Sequence, residues 1–161
     1  MIFLTVGTHP QQFDRLLEKV DELMGKGKIN GPVFGQIGNS EYEPKNFEFA
    51  RFLGLNEFNG AMEKADLVIT HAGEGNIGIG LQLRKKMVIV PRLKKFREHT
   101  NDHQLELAGK IGESGMGIIV YDISELEKAI DDAKALNVWK VRKQGKIIEV
   151  LEKYVSDEFG G

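Results

Sequence analysis

Residues 67–90 read LVITHAGEGNIGIGLQLRKKMVIV, and this stretch decides the fold. It begins and ends with continuous apolar runs, at 67–70 and 87–90, which are typical of central parallel strands covered on both faces. Between them lie a glycine-rich loop and enough residues for one crossover helix. Apolar residues at every second position of 77–83 favour a strand locally, so we predict this helix from its context.

Similar elements are predicted on both sides of this unit. Apolar or alternating runs predict further strands at residues 2–6, 32–37, 47–53 and 117–121. Helical spacing predicts helices at 13–24, 57–64 and 104–111, a helix capped by Ser124 that carries Leu126, Ile130 and Leu136, and a last one over 147–155. Strands that alternate with helices imply an α/β fold: a Rossmann-like parallel sheet with helices on both faces. With no repeat and no linker, residues 1–161 are predicted to form a single domain.

Composition excludes several classes of protein. The 161 residues include no cysteine, which rules out disulfides, iron–sulfur clusters and thiolate zinc sites. A formal net charge of -2 argues against a generally cationic nucleic-acid binder. No apolar run approaches the roughly 18–20 residues that cross a bilayer, and Gly7 interrupts the first run too early for a signal peptide. We therefore expect a cytoplasmic protein.

Polar segments follow several of the predicted strands. Residues 7–12, 38–43, 71–76 and 91–104 are all rich in Gly, His, Asn or Gln. Ligands of parallel α/β sheets bind beyond the carboxyl ends of the strands, which is where these four segments would lie. The sequence therefore predicts a site for a polar ligand at that edge.

The segment 71–76, HAGEGN, joins a predicted strand to a predicted helix. Glycines let a backbone approach a ligand closely, and the free amides of a helix N-terminus favour phosphate, although Glu74 would oppose an anion. An ordinary glycine-rich turn is the alternative. Gly73, Gly75 and Gly78 also match the dinucleotide fingerprint, but they follow the fourth predicted strand rather than the first.

Two further segments carry groups suited to chemistry. Residues 7–12, GTHPQQ, offer a hydroxyl, two amides and the imidazole of His9, which is a candidate proton acceptor; an ordinary helix start is the alternative. Residues 99–104, HTNDHQ, suit hydrogen bonding to a hydroxyl-rich ligand. A helix cap at Asn101 or Asp102 would also explain the latter, and the spacing matches no metal motif.

A basic run lies between positions 84 and 97 with no acidic residue in it. Its members are Arg84, Lys85, Lys86, Arg92, Lys94, Lys95 and Arg97. We predict an exposed patch of Arg92, Lys94, Lys95 and Arg97 that faces phospholipid, a lipid diphosphate or an acidic partner, with an ordinary solvated surface as the alternative. Nucleic acid is disfavoured because Phe96 is the only aromatic residue in the run.

Taken together, these segments resemble one family of glycosyltransferases. The resemblance is carried by residues 5–10 (TVGTHP), 13–16 (FDRL), 66–73 (DLVITHAG), 90–92 (VPR) and 102–108 (DHQLELA). The family comprises the soluble donor-binding subunits of two-subunit enzymes. It includes the enzyme that adds the second N-acetylglucosamine to dolichol diphosphate, and bacterial polysaccharide counterparts. All are similar to the carboxyl-terminal half of MurG-type GT-B enzymes.

The resemblance implies a function and a set of site residues. Family members bind a UDP-sugar without a metal ion or other cofactor and transfer the sugar with inversion to a lipid-diphosphate-linked acceptor. A membrane-anchored subunit supplies the rest of the cleft, and 161 residues leave no room here for a second Rossmann-like domain. The donor site would include Gly7, Thr8, His71, Gly73, Gly75, Asn76, Asp102, His103 and Gln104, with His9 as the candidate base.

Departures from the family pattern keep two alternatives open. Ile79 stands where relatives commonly carry a glutamate that holds the ribose, and Glu74 lies in the phosphate loop. Loss of one charged hydrogen-bonding partner costs about 1.5–3 kcal/mol. A catalytically silent partner or enhancer of a glycosyltransferase is therefore the second hypothesis, and an NAD-dependent oxidoreductase is the third. A homodimer of the isolated chain is left open.

Overall fold

The computed structural model describes residues 1–137, which form one six-stranded sheet. The strands are β1 (Ile2–Thr5), β2 (Val33–Gln36), β3 (Glu48–Ala50), β4 (Leu67–Thr70), β5 (Lys86–Ile89) and β6 (Ile118–Ile119). Every pair is parallel, and the spatial order is β3-β2-β1-β4-β5-β6. This is the predicted Rossmann-like sheet, in which the strand order reverses between β1 and β4.

Helices cover both faces of the sheet. They are α1 (Asp14–Gly25), α2 (Leu55–Lys64), α3 (Glu74–Gln82), α4 (Gln104–Ser114) and α5 (Leu126–Ala135). Buried residues of α1 and α5 pack in one apolar cluster, and those of α2, α3 and α4 pack in a second. Each central strand contributes to both clusters in alternation, as a strand with two covered faces must: in β4, Leu67 and Ile69 belong to the first and Val68 to the second.

The segment that follows β4 is a helix, as its context predicted, although its apolar residues recur at strand spacing. The residues of α3 that are buried are Ile77 and Gly80, three positions apart, and Gly80 packs directly against the sulfur of Met87 in β5. The helix ends where Arg84 takes a left-handed conformation with φ of 55°. Tertiary packing therefore overrides the local pattern.

Several predicted boundaries are wrong. The third strand covers Glu48–Ala50 and the last covers Ile118–Ile119, so both are shorter than predicted. Ser124 does not cap a helix: its backbone amide donates to the Asp122 carboxylate, which opens a short 3-10 turn before α5 begins. Leu136 lies beyond the end of α5. The helix predicted over 147–155 lies outside the described residues.

Candidate functional site

The four polar segments all lie at the carboxyl edge of the sheet because every strand is parallel. Three of them, after β1, β4 and β5, sit beside one another at the reversal of strand order. The fourth, residues 38–43, lies behind the β1–α1 loop: the Asn39 side-chain amide donates to the carbonyl oxygen of His9, and Ser40 accepts from the amide of Phe13. This fourth segment supports the site rather than lining it.

A cleft of about 500 Å³ opens between the β4–α3 loop and the start of α4. Its lining residues are Ala72, Gly73, Glu74, Gly75, His99, Asn101, His103, Gln104, Glu106 and Leu107. Two sequence motifs that lie about thirty positions apart thus face one another across a single hollow. Gly73, Gly75, His103 and Gln104 are the predicted donor-site residues that the structure brings together there.

His71 lies beneath the cleft and accounts for two of the glycines. Its ring is only 8% exposed, and a Cβ atom on Gly7 would lie 2.6 Å from its Cε1 atom. A Cβ atom on Gly73 would overlap the same ring. Gly7 and Gly73 are therefore required by the packing of His71, whereas a Cβ atom on Gly75 would meet open space.

Burial, together with the charge of Arg92, lowers the pKa of His71 to about 3. The imidazole is therefore neutral at physiological pH. It lies 3.4 Å from the hydroxyl of Thr70, and a hydrogen bond with the backbone of Thr5 holds it in place. His71 acts as a fixed packing element between the two loops rather than as a proton carrier.

His9 and His99 stack on one another beside the cleft. Their ring centroids lie 4.4 Å apart, and His99 lines the cleft while His9 lies behind it. Burial lowers the pKa of His9, and the neighbouring His99 lowers it further. Burial and the charge of Arg92 likewise lower the pKa of His99. Both rings thus favour the neutral form, which a proton acceptor requires.

Asn76 is turned away from solvent. Its side-chain amide donates to the hydroxyl of Thr70 at 3.2 Å and to that of Thr5 at 3.4 Å. It therefore ties the first turn of α3 to the ends of the two strands at the reversal point. Thr5 and Thr70 are fully buried, and sequence reasoning missed them, although two threonines that end adjacent strands were a readable signal.

The residues just before and at the start of α4 have different roles: one supports a neighbouring loop and another lines the cleft. The Asp102 carboxylate accepts from the backbone amide of Lys94 at 2.9 Å, and Asp102 is not among the cleft-lining residues. The side-chain oxygen of Gln104 accepts from the amide of Arg92 at 3.0 Å while the residue lines the cleft. The predicted helix cap is wrong in detail, since α4 is preceded by His103, whose amide donates to the side chain of Asn101.

Arg92 does not belong to an exposed patch, and that prediction is wrong. The residue is 1% exposed, and its guanidinium donates to the carbonyl oxygens of Val6, Gln11, Gln12 and Glu98. It also lies over the ring of Phe13 at 4.8 Å. Arg92 therefore joins the β1–α1 loop to the segment that follows β5.

Other members of the basic run lie at opposite edges of the sheet. The ammonium of Lys85 donates to the carbonyl oxygens of Glu63 and Ala65 at the end of α2, and that of Lys86 donates to the carbonyl oxygen of Lys134 near the end of α5. These two lysines satisfy helix C-termini at the amino edge of the sheet. Lys94, Lys95 and Arg97 are exposed at the carboxyl edge.

Sequence reasoning missed Glu106 as a cleft residue and the ion pair between Arg15 and Glu98. The latter joins residues 83 positions apart, so no local pattern could reveal it.

Thr8, which was predicted to belong to the donor site, is exposed in the β1–α1 loop. Within residues 1–137 there is no cluster of three or more side chains that could hold a metal ion, and no helix is long and apolar enough to cross a membrane. Metal-independent chemistry stays a prediction.

The fold and the cleft define a class of protein: a Rossmann-type ligand-binding unit whose site lies where the order of the strands reverses. Residues 1–151 match the family described as the glycosyltransferase family 28 C-terminal domain, and the chain belongs to that family. It thus corresponds to the carboxyl-terminal half of a GT-B enzyme, as the resemblance implied. Family membership gives no support to the oxidoreductase alternative.

Curated relatives include two kinds of transferase. The chain is 33% identical over 123 residues to the human "UDP-N-acetylglucosamine transferase subunit ALG13", covering 71% of this chain and 10% of that protein. The Cryptococcus neoformans protein of the same name is 32% identical, with 70% of this chain and 54% of that protein covered. A Prochlorococcus marinus protein, "UDP-N-acetylglucosamine--N-acetylmuramyl-(pentapeptide) pyrophosphoryl-undecaprenol N-acetylglucosamine transferase", is 26% identical, covering 86% of this chain and 38% of that protein. The chain thus spans between a tenth and about half of these relatives.

Solved structures support the fold. The glycosyltransferase of kitacinnamycin matches with a TM-score of 0.65 at 21% identity, covering 95% of this chain and 42% of that one. MurG from Acinetobacter baumannii matches with a TM-score of 0.59 at 19% identity, covering 93% and 48%. In both, the similarity extends over less than half of the larger enzyme, as expected if this chain corresponds to one of its two halves.

Proposed function

We propose that this chain binds the UDP-sugar donor in a two-component glycosyltransferase. In this proposal it transfers the sugar with inversion, without a metal ion, to a lipid-diphosphate-linked acceptor. A membrane-anchored subunit supplies the acceptor side of the cleft and holds the chain at the cytoplasmic face of the membrane. The observation that carries the proposal is the single cleft that places the start of α3 opposite His103 and Gln104.

Each wall of the cleft suits one part of a nucleotide sugar. On one wall, the first turn of α3 presents backbone amides, and Gly75 leaves them open to approach by a diphosphate. On the other wall, Asn101, His103 and Gln104 offer donors and acceptors for sugar hydroxyls. In this proposal, the fixed dipoles of the first wall stabilise the departing UDP as its charge develops.

Inversion requires a base that accepts the proton of the acceptor hydroxyl. His9 is the candidate on this chain, because its lowered pKa keeps the ring unprotonated and its stacking on His99 places it beside the cleft. A base supplied by the partner subunit is the alternative. The relatives named as transferase subunits support a partner of this kind.

A matched pair of glycine variants tests donor binding. Gly75 and Gly78 lie in the same helix, and a Cβ atom on either would meet open space, but only Gly75 lines the cleft. In calorimetry with UDP, we expect Gly75→Leu to weaken binding at least tenfold and Gly78→Leu to leave the affinity unchanged. Equal effects of the two variants, or no UDP binding with and without a co-expressed partner, would overturn the proposal.

One observation favours the catalytically silent alternative. Ile79 is half-buried and packs against the second apolar cluster, so α3 offers no carboxylate at that position. If the chain has lost donor binding, Ile79→Glu should create UDP affinity that the natural chain lacks, and Ile79→Gln controls for the disturbed packing. Equal UDP affinity in the natural chain and in Ile79→Glu would count against the silent alternative.

A further inference from the structure

Four consecutive residues project from the carboxyl edge beside the cleft. We call Lys94, Lys95, Phe96 and Arg97 the cationic loop; all four are exposed, and Phe96 keeps 44% of its surface accessible. Lys94–Phe96 form a 3-10 turn, and Arg97 closes the loop in a left-handed conformation with φ of 58°. Three positive charges and one exposed aromatic ring therefore lie on four consecutive residues.

Hydrogen bonds to Glu98 and from Gln12 hold the cationic loop in place. Glu98 is fully buried; its carboxylate accepts from the backbone amide of Leu93 at 2.9 Å and from the guanidinium of Arg15 at 2.8 and 2.9 Å. The Gln12 side chain donates to the carbonyl oxygen of Phe96 at 3.1 Å. These contacts hold the backbone of the loop, which reduces the conformational entropy that the backbone loses when the loop binds.

Two cations lie close to the ring of Phe96. The guanidinium carbon of Arg15 lies 4.9 Å from the centre of its ring, and the ammonium of Lys95 also lies 4.9 Å from it. Tyr121 is another exposed aromatic residue, and Asp122 follows it. Hydrogen bonds from Ser124 lower the pKa of Asp122, and the charges of Arg15 and Lys95 lower it to a smaller extent. Asp122 in the neighbouring segment and Asp102, whose carboxylate accepts from the backbone amide of Lys94 at 2.9 Å, are thus acidic groups that oppose the loop.

We propose that the cationic loop binds directly to the surface of an anionic lipid bilayer. Phe96 enters the headgroup layer, while Lys94, Lys95 and Arg97 contact lipid phosphates. The contact is made by this chain itself and is separate from any attachment through a partner subunit. The orientation rests on the proposed function: the loop continues into the cleft wall at His99, so docking would bring the cleft towards a lipid-linked acceptor.

The composition of the loop favours lipid over other polyanions. Three like charges on four residues suit a surface of repeated phosphates, which demands no particular spacing between partners. Nucleic acid is disfavoured because the loop has a single ring on which a base could stack. An acidic face of a protein is the competing partner, and the experiment below separates it from lipid.

Vesicle sedimentation with the full chain alone tests the proposal. Vesicles contain phosphatidylglycerol and phosphatidylcholine in equal parts, or phosphatidylcholine only. We expect binding to the first and not to the second. Each cation near an anionic surface contributes roughly fivefold in affinity, so Lys94→Gln, Lys95→Gln and Arg97→Gln combined should weaken binding about a hundredfold.

Two controls sharpen this test. Combined Lys26→Gln, Lys28→Gln and Lys128→Gln remove the same charge from exposed positions outside the loop and should leave vesicle binding within about threefold. Asp122→Asn keeps an acceptor for Ser124 and removes one of the opposing charges, so it should strengthen vesicle binding by roughly fivefold.

Several results would overturn the proposal. They are a lack of vesicle binding by the natural chain, equal losses in the two triple variants, or loop variants that bind vesicles normally but no longer co-purify with a protein partner. UDP affinity is measured on the same samples. Retained UDP binding without vesicle binding refutes only the lipid contact. Vesicle binding without UDP binding, both with and without a co-expressed partner, refutes only the proposed function.

Discussion

Arg92 and the cationic loop lie within six positions of one another, yet the charge of Arg92 is buried and the charges of the loop are exposed. Arg92 is buried and its guanidinium donates to four carbonyl oxygens, whereas Lys94, Lys95 and Arg97 are exposed to solvent. Burial lowers the pKa of Arg92 to about 10, and the charge of Glu98 opposes that shift. The difference teaches that a run of positive charge in a sequence need not be a positive surface in the fold.

The largest effect is expected from Arg92→Met. Removal of the guanidinium leaves several buried carbonyl oxygens without a donor and should lower the free energy of unfolding by about 3–5 kcal/mol. Arg92→Lys should restore only part of this loss, because one ammonium cannot donate to all four carbonyl oxygens. Urea denaturation followed by circular dichroism measures both. A loss below about 1 kcal/mol for Arg92→Met would show that the hydrogen bonds of its guanidinium contribute little to the free energy of unfolding.

The next effect is a dependence of stability on pH. The pKa of His71 is about 3 in the folded chain and near 6.5 when unfolded, so the unfolded chain binds more protons between these values. The free energy of unfolding should therefore fall as pH drops through this window, by up to about 1.4 kcal/mol per pH unit. His71→Gln should flatten the dependence, while Lys94→Gln should leave it as it is. An unchanged slope in His71→Gln would contradict the assignment.

A smaller effect is expected at the amino edge. Lys85 donates to two carbonyl oxygens at the end of α2, at 2.6 and 2.8 Å, and Lys85→Met should lower the free energy of unfolding by about 1 kcal/mol. Thermal denaturation at matched pH measures this. Added salt should affect the natural chain and Lys85→Met alike if hydrogen bonds, rather than long-range charge, carry the contribution.

The smallest effect is expected from the loop itself. Lys94→Gln and Lys95→Gln combined should change the free energy of unfolding by less than about 0.5 kcal/mol, because both side chains are exposed. The same denaturation measurement that tests Arg92→Met applies here. A loss comparable to that of Arg92→Met would remove the contrast between the two regions.

The sequence predicted the sheet and the place of the site. Continuous apolar runs located β4 and β5, and a parallel sheet then required their polar loops to share one edge. The fate of Arg92 could not be predicted, because its partners in the β1–α1 loop lie 80 or more positions away. Nothing local distinguishes Arg92 from Lys94, and arginine is seldom fully buried.

The details of the site were predicted unevenly for a related reason. Gly7, Gly73 and Gly75 were all predicted to belong to the donor site. Gly7 and Gly73 instead make room for the ring of His71, and a Cβ atom on Gly75 would meet open space. Asn76 was read as a loop residue, yet it bonds the strand ends. Residue type indicates what a group can do, and only packing decides on which partner it does so.

The enclosure of His71 has a consequence for how this protein can change. Gly7 and Gly73 both border its ring, so a larger residue at position 73 is tolerable only after the imidazole has been replaced by something smaller. The order of substitutions then matters: the histidine must go first. A side chain at position 7 stays unfavourable even after His71 is replaced, because the φ of +73° at Gly7 disfavours any residue other than glycine.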